Sequence, residues 1–309
     1  MFSGNCIAAG ERGSPSPPWE ERAGERRPFF SAFQFFSFSA FVSAIVHIIH
    51  FWPGKNLIRR ALRLIFRHRN FRVTLKNPRA TIEGRYADHA DFHAICEVFL
   101  ERAYDLSSVH PNPNLIIDAG GHIGTFAVLA ALTFPVARLV SFEPDPDNFR
   151  LLIRNVARNG LRAELRNLAL ANFDGVTLLD GPSSMGRRIG AATGRRVPVR
   201  RLSQLLELRR AERLLLKLDV EGAEWSILED CAADLPHSTI IFIETHGGDD
   251  DLGKLSEFSS RFGFLHEHTR HKGQYHESIL RRGVFAPQLN AIGSVVLWSL
   301  FSLSKPLPF

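Results

Sequence analysis

The segment Asn114-Leu-Ile-Ile-Asp118-Ala-Gly120-Gly121-His122-Ile-Gly124-Thr125 constrains this chain more than any other. Its apolar run suits a strand buried on both faces, and it breaks into a glycine-rich turn followed by an apolar helix. Glycines there let a ligand approach the backbone, and the free amides of a helix start favour negative charge. A nicotinamide dinucleotide fingerprint needs glycines two and five residues after the first. Counting from Gly120 reaches His122 and Thr125, and from Gly121 it reaches Ile123 and Phe126, so the dinucleotide reading fails. S-adenosylmethionine is the remaining ligand for such a turn, and taken alone the turn also fits a purely structural bend.

From about Asn112, short apolar runs alternate with amphipathic stretches, the pattern of β-α units feeding a parallel sheet. Strands are expected at Leu115–Asp118, Leu139–Glu143, Ala163–Arg166, Leu214–Asp219 and Thr239–Glu244. The apolar Ser294–Leu300 is too short to span a bilayer and is expected to be the last strand.

Three further clusters fall at strand ends. Ser141-Phe142-Glu143-Pro144 places an acid 19 residues beyond Gly124, where two acceptor oxygens suit the ribose hydroxyls of an adenosine. Leu214-Leu-Leu-Lys217-Leu-Asp219-Val-Glu221-Gly222-Ala-Glu224-Trp225 gathers ionisable groups at the end of a buried strand, a pattern typical of a site. Lys217 and Asp219 alternate with leucines, so they project to one face and are expected to pair; Glu224 is expected to be a structural ion-pair partner. Glu244-Thr245-His246 brings another acid and an imidazole to the same edge.

Together, Asp118-Ala-Gly-Gly-His-Ile-Gly124, Phe142-Glu143-Pro144-Asp145-Pro146-Asp147-Asn148, Asn167-Leu-Ala169, Lys217-Leu-Asp219-Val-Glu221-Gly222-Ala223-Glu224 and Glu244-Thr-His246 resemble the FkbM-type S-adenosylmethionine-dependent methyltransferases across roughly residues 112–300. The K-x-D-x-E-G-x-E stretch is the most specific part; the glycine turn is shared by most class I methyltransferases. The resemblance implies an α/β, Rossmann-like seven-stranded sheet flanked by helices, its last strand antiparallel. It also implies methyl transfer to a hydroxyl, often on a sugar or polyketide. Asp118, Gly120, Gly121, His122, Gly124 and Thr125 would lie near the methionine part of the cofactor, Glu143 and Pro144 on the ribose, and Asn167 and Ala169 near the adenine. Gly121-His122 replaces the more usual Ala-Asn, and Arg201-Leu202-Ser203 stands where Thr-Leu-Asp is common.

Because a sulfonium already makes its methyl electrophilic, the protein must align an oxygen and take its proton. Asp219 or His246 is expected to be that base, with Lys217 and Glu221 fixing geometry. No metal ligand set is expected: His266-Glu-His268-Thr-Arg-His271 is taken as a charged loop, and Asp249-Asp250-Asp251 as a solvated turn.

The remaining expectations concern attachments and partners. Residues 1–28 are expected to be disordered, 29–52 to form a candidate membrane helix without Asp, Glu, Lys or Arg, 53–110 to form basic amphipathic lead-in helices, and 111–303 to be the methyltransferase-like domain. The net charge of +6 is concentrated in nine Lys or Arg between Pro53 and Ile82, a belt suited to anionic lipid, so membrane association through 29–67 and a cytoplasmic domain are expected. Arg187, Arg188, Arg195, Arg196, Arg200 and Arg201, with no acid between Gly181 and Leu206, suggest an anionic small-molecule or glycan acceptor. Three cysteines, Cys6, Cys96 and Cys231, are too far apart for a zinc knuckle or a disulfide framework. A nucleic-acid partner is not expected, and the competing function is a membrane-tethered, non-catalytic glycan- or lipid-binding protein on the same fold.

Overall fold

The structure of the protein, a computed structural model, describes residues 70–181, 184–248, 250–272 and 275–283. It opens with an antiparallel hairpin, β1 (Asn70–Lys76) and β2 (Arg79–Arg85), and a helix, α1 (His89–Phe99). Then come β3 (Leu115–Ala119), α2 (Thr125–Thr133), β4 (Arg138–Phe142), α3 (Pro146–Arg158) and the short β5 (Glu164–Arg166). The strands β6 (Ala169–Ala171), β7 (Gly175–Asp180), β8 (Arg188–Ile189) and β9 (Arg195–Arg201) form a small separate sheet. After α4 (Leu206–Arg210) the chain continues as β10 (Arg213–Leu218), α5 (Glu224–Cys231), β11 (Ser238–Thr245), α6 (Asp250–Phe262), β12 (Leu265–Lys272) and β13 (Tyr275–Arg282).

The main sheet has seven strands in the order β12-β13-β11-β10-β3-β4-β5, parallel except for β13, which runs antiparallel to both neighbours. This is the class I methyltransferase-like arrangement that the motifs imply. Successive connections run one way from β3 and the other way from β10, so the carboxyl ends of these two strands flank a topological switch point, where open α/β sheets bind ligands.

The parallel strands are apolar throughout because both faces are covered, and alternate side chains feed two cores. Ile116, Leu139, Leu215 and Ile240 face α1, α2, α3 and the hairpin. Ile117, Val140, Leu214, Leu216 and Ile241 face α5 and α6. Asp145 caps α3 by accepting from the Asp147 and Asn148 amides, with Pro146 at the first helical position, which is why the helix starts there.

Several expectations need correction. Residues 70–85 form a hairpin, not helix: Phe71, Val73 and Leu75 alternate with Arg72, Thr74 and Lys76, a period of two. Their apolar face joins the same core as α3, so no boundary separates them from the sheet domain. Among the described residues the last strand of the main sheet is Tyr275–Arg282; the expected strand Ser294–Leu300 lies outside them. The His266–His271 stretch lies on β12, not in a loop. Asp251 is fully buried in the first turn of α6, accepting from the Gly247 amide at 2.6 Å and the Trp225 indole at 2.8 Å, so it organises that connection and is not solvated. The expected segments 1–28 and 29–52, and residues 53–69 of the expected segment 53–110, also fall outside the described residues. Among the described residues, no helix is long and apolar enough to cross a membrane.

The hairpin is fastened by two amides one helical turn apart. Asn155 accepts from the Glu83 amide at 2.7 Å and donates to the Glu83 carbonyl at 2.9 Å; Asn159 does the same for Thr81 at 2.8 and 2.9 Å. Residues i and i+4 of a helix repeat at about 6 Å and residues i and i+2 of a strand at about 6.8 Å, so the two side chains act as a neighbouring strand for the free edge of β2. The buried Glu83 carboxylate receives Asn70 at 2.7 Å, Arg158 at 2.6 Å and Arg154 at 3.1 Å on the same surface. Asn155→Ala leaves buried backbone groups unpaired and is expected to cost about 2–4 kcal/mol, read as a lower urea midpoint at unchanged m-value.

Candidate functional site

The polar residues of the main sheet gather at the carboxyl ends of its central strands. Ser141, Asp118, Lys217 and Phe242 sit in register on four neighbouring strands. Ser141 Oγ donates to Asp118 Oδ2 at 2.6 Å. Lys217 Nζ donates to the Gly120 carbonyl at 2.6 Å and lies 3.2 Å from Asp219 Oδ2 and 3.6 Å from Asp118 Oδ1. The side chain is 4% exposed and the Tyr104 ring covers its ammonium. Burial alone would lower the Lys217 pKa, but Asp219 and Asp118 outweigh it and hold the ammonium above its ordinary range. Burial pushes the Asp118 carboxyl up, against the pull of Lys217.

The glycine turn leaves β3 in a conformation that side chains resist. Gly120 has φ 86°, and a Cβ there would sit 1.8 Å from the Asp219 carbonyl oxygen. Gly124 has φ 89°, starts α2 without a side-chain cap, and a Cβ on it would lie 2.7 Å from Leu152. His122 adopts φ 47° despite its side chain. Its amide donates to Glu143 Oε2 at 2.7 Å, tying the turn to the end of β4. Its Nε2 lies 3.0 Å from Ser184 Oγ, and burial lowers its pKa to about 4, so the imidazole is neutral.

Glu143 is 5% exposed and is oriented at its other oxygen by the Asp145 amide at 2.8 Å. Burial pushes its carboxyl up to about 8, against the opposing hydrogen bonds from His122 and Asn148. Asn167 donates to the carbonyls of Glu143 and Pro144 at 2.7 and 3.1 Å, fixing the chain beyond the strand.

These groups surround a cleft of about 880 Å³. Of the residues singled out in the sequence, Gly120, Gly121, His122, Thr125, Glu143, Pro144, Ala169, Lys217, Asp219 and Glu221 line it. Asp118 lies beneath Lys217, Gly124 packs against Leu152, Asn167 acts through the backbone, and His246 stands behind Asp219 and Glu221. Sequence reasoning missed Tyr104 and Val98, which follow the hairpin, and Leu170, Leu179 and Ile189 of the small sheet. The alternation of Val197 and Val199 with exposed neighbours in β9 is the signal that would have found the small sheet.

At the far end, His246 Nδ1 is 2.9 Å from Glu224 Oε1, and Glu224 also accepts from the Val220 and Gly222 amides at 3.2 and 3.0 Å. The opposite nitrogen, Nε2, faces Glu221 at 3.4 Å, Glu244 at 3.7 Å and Asp219 at 3.9 Å. Burial opposes a charged imidazole, but Glu224, Asp219 and Glu221 raise its pKa to about 9. Both ring nitrogens therefore stand among carboxylate oxygens, which favours a positive charge at this position.

The arginines expected to attract an anionic acceptor are largely committed to acids. Arg187 pairs with Asp145 and Arg201 with Asp230, while Arg195 lies 3.5 Å from Asp147 and Arg200 3.7 Å from Asp174. The stretch without acids in sequence is flanked by acids in space.

A profile of the methyltransferase FkbM domain matches residues 118–273. Methyltransferase sdnD of Sordaria araneosa is 30% identical, over 46% of this chain and 73% of its own length. The 31-O-demethyl-FK506 methyltransferase FkbM of Streptomyces tacrolimicus is 28% identical, over 62% of this chain and 88% of its own. Among solved structures, M. jannaschii TYW2 in complex with AdoMet is similar with a TM-score of 0.41 at 12% identity, covering 66% of this chain and 83% of that one.

A nucleoside whose ribose hydroxyls donate to Glu143 stabilises the ionised carboxylate over the neutral acid. Binding then releases a proton below pH 8, so affinity should rise toward that pH from below, with a limiting slope of about tenfold per pH unit. Calorimetry with S-adenosylhomocysteine between pH 6 and 9 reads this directly. Glu143→Gln should bind more weakly and lose the slope.

Proposed function

As the chain belongs to the FkbM methyltransferase family, we propose that it transfers a methyl group from S-adenosylmethionine to a hydroxyl oxygen of a small-molecule or sugar acceptor. The observation that carries this reading is a single cleft with two unlike ends, the glycine turn and Glu143 at one, Asp219 and Glu221 at the other. The side-chain-free backbone of Gly120 and Gly121 on the cleft wall and the buried acceptor oxygens of Glu143 fit the cofactor. When bound, it supplies an electrophilic methyl on a sulfonium.

The chain's own residues do the rest. Lys217 holds the Gly120 carbonyl and so the direction of the turn. Glu143 accepts from the ribose, and Ala169, Leu170 and Pro144 give an apolar slot for the base. Asp219 and Glu221, on the wall of the same cleft, are the groups assigned to receive the hydroxyl proton in this reading. A second cleft of about 680 Å³ shares Tyr104 with the first, is bordered by Glu244, and adds Phe242, Ile243 and Ile279. Arg102, Asp105, Arg270 and Glu277 also line it, so that surface suits an acceptor carrying both apolar and polar groups. The name of the Streptomyces relative, which describes methylation of an O-demethyl compound, supports oxygen as the receiving atom.

Labelled S-adenosylmethionine with an acceptor panel tests the reading, followed by kinetics of two isosteric variants. Asp219→Asn and Glu221→Gln should lower kcat by roughly 10²–10⁴-fold in at least one case, with S-adenosylhomocysteine affinity kept within about tenfold. Full turnover in both variants, or cofactor binding without transfer to any acceptor, goes against it.

A further inference from the structure

The cluster at the acceptor end has features that proton transfer alone does not require. His246 has a side chain 2% exposed, with Nδ1 fixed on Glu224 and Nε2 directed among carboxylate oxygens that lie beyond good hydrogen-bond reach. Tyr275 packs edge-on against the ring at 5.1 Å, which further restrains its orientation. A carboxylate bonded to one ring nitrogen while the other points at acids is the arrangement that orients histidines toward metal ions.

We infer that Asp219, Glu221 and His246 form a binding site for one divalent first-row metal ion beside the acceptor end of the cleft. One ligand atom from each of the three residues falls within a common 4.8 Å. Ligands about 2.1 Å from an ion lie roughly 3.0 to 4.2 Å apart in octahedral geometry. The separations of Nε2 from Glu221 Oε2, 3.4 Å, and from Asp219 Oδ1, 3.9 Å, fall in that range. Lys217 occupies the other oxygen of Asp219, Oδ2, and so leaves Oδ1 to the cluster. Glu244, 3.7 Å from the same imidazole nitrogen, adds negative charge on the open side.

One imidazole with carboxylates suits Mn²⁺, Fe²⁺ or Zn²⁺ better than Mg²⁺ or Ca²⁺, which favour all-oxygen sets. Such an ion would take the acceptor's hydroxyl oxygen as a further ligand and lower its pKa. Only this role rests on the proposed function; the binding of the ion does not.

The test is equilibrium binding of Mn²⁺ to the purified full chain, read as loss of the free-ion paramagnetic resonance signal and checked by elemental analysis. The expected result is one ion per chain, bound at least tenfold more weakly by His246→Gln and by Glu221→Gln. Glu224→Gln keeps all three ligands but replaces the charged orienting partner with a neutral amide, and should weaken binding roughly 10-fold or more. Titration with S-adenosylhomocysteine verifies that each variant is folded, and separates failure of the metal site from failure of the cofactor reading. No Mn²⁺ bound by the wild-type chain, or equal binding by wild type and all three variants, overturns the inference.

Discussion

A single buried ammonium governs the geometry of the site. Without Lys217, Asp118 and Asp219 would confront each other across neighbouring strands in a medium of low dielectric, and breaking such a buried arrangement typically costs about 3–5 kcal/mol. The same Nζ bonds the Gly120 carbonyl, which converts the register of β3 against β10 into a fixed direction for the glycine turn. Tyr104 seals it from above and packs edge-on against Phe126 and Phe242. Sheet register, turn direction and the placement of Asp219 are therefore one constraint.

A second chain of contacts reaches the turn from the hairpin side. Asn155 bonds Glu83 on β2 and also donates to the Ile123 carbonyl at 2.7 Å, inside the turn. Arg85, at the end of β2, bonds Asp91 of α1 and Asn148 of α3, and Asn148 donates to Glu143. The hairpin thus braces both the turn and the carboxylate expected to hold the ribose. Its position outside the match with the FkbM domain, which starts at residue 118, does not make it an appendage.

What the sequence revealed follows from what each signal measures. Strands buried on both faces are continuous apolar runs, so β3, β4, β10 and β11 lie within a residue or so of where apolarity places them. The same criterion gave no signal for β13, whose buried residues include the polar His276, Glu277, Ser278 and Arg281. The hairpin was hidden because its exposed positions are basic, and the charge pattern masked the alternation beneath. Motif residues came together because their spacing encodes strand ends. The partners of His246 did not emerge as a set, because Glu224 and Asp219 approach it through the β10–α5 and β11 connections, a matter of register and not of spacing.

Asp219 separates two regions of different electrostatic character. One oxygen answers Lys217 and the sheet; the other faces His246. Rotating the carboxylate toward a substrate would break the ammonium contact in a buried setting, so the outward oxygen is held in place before anything binds. Preorganised charge of this kind avoids reorganisation during the chemical step, where it would raise the barrier. Glu143 at the opposite end is neutralised by burial and awaits donors, while the Asp219–Glu221–His246 end is rich in acceptors and calls for a cation or a proton. A donor-bearing nucleoside and a proton-releasing hydroxyl would each satisfy one end only, which is how one cleft can hold two substrates in a fixed order along its length.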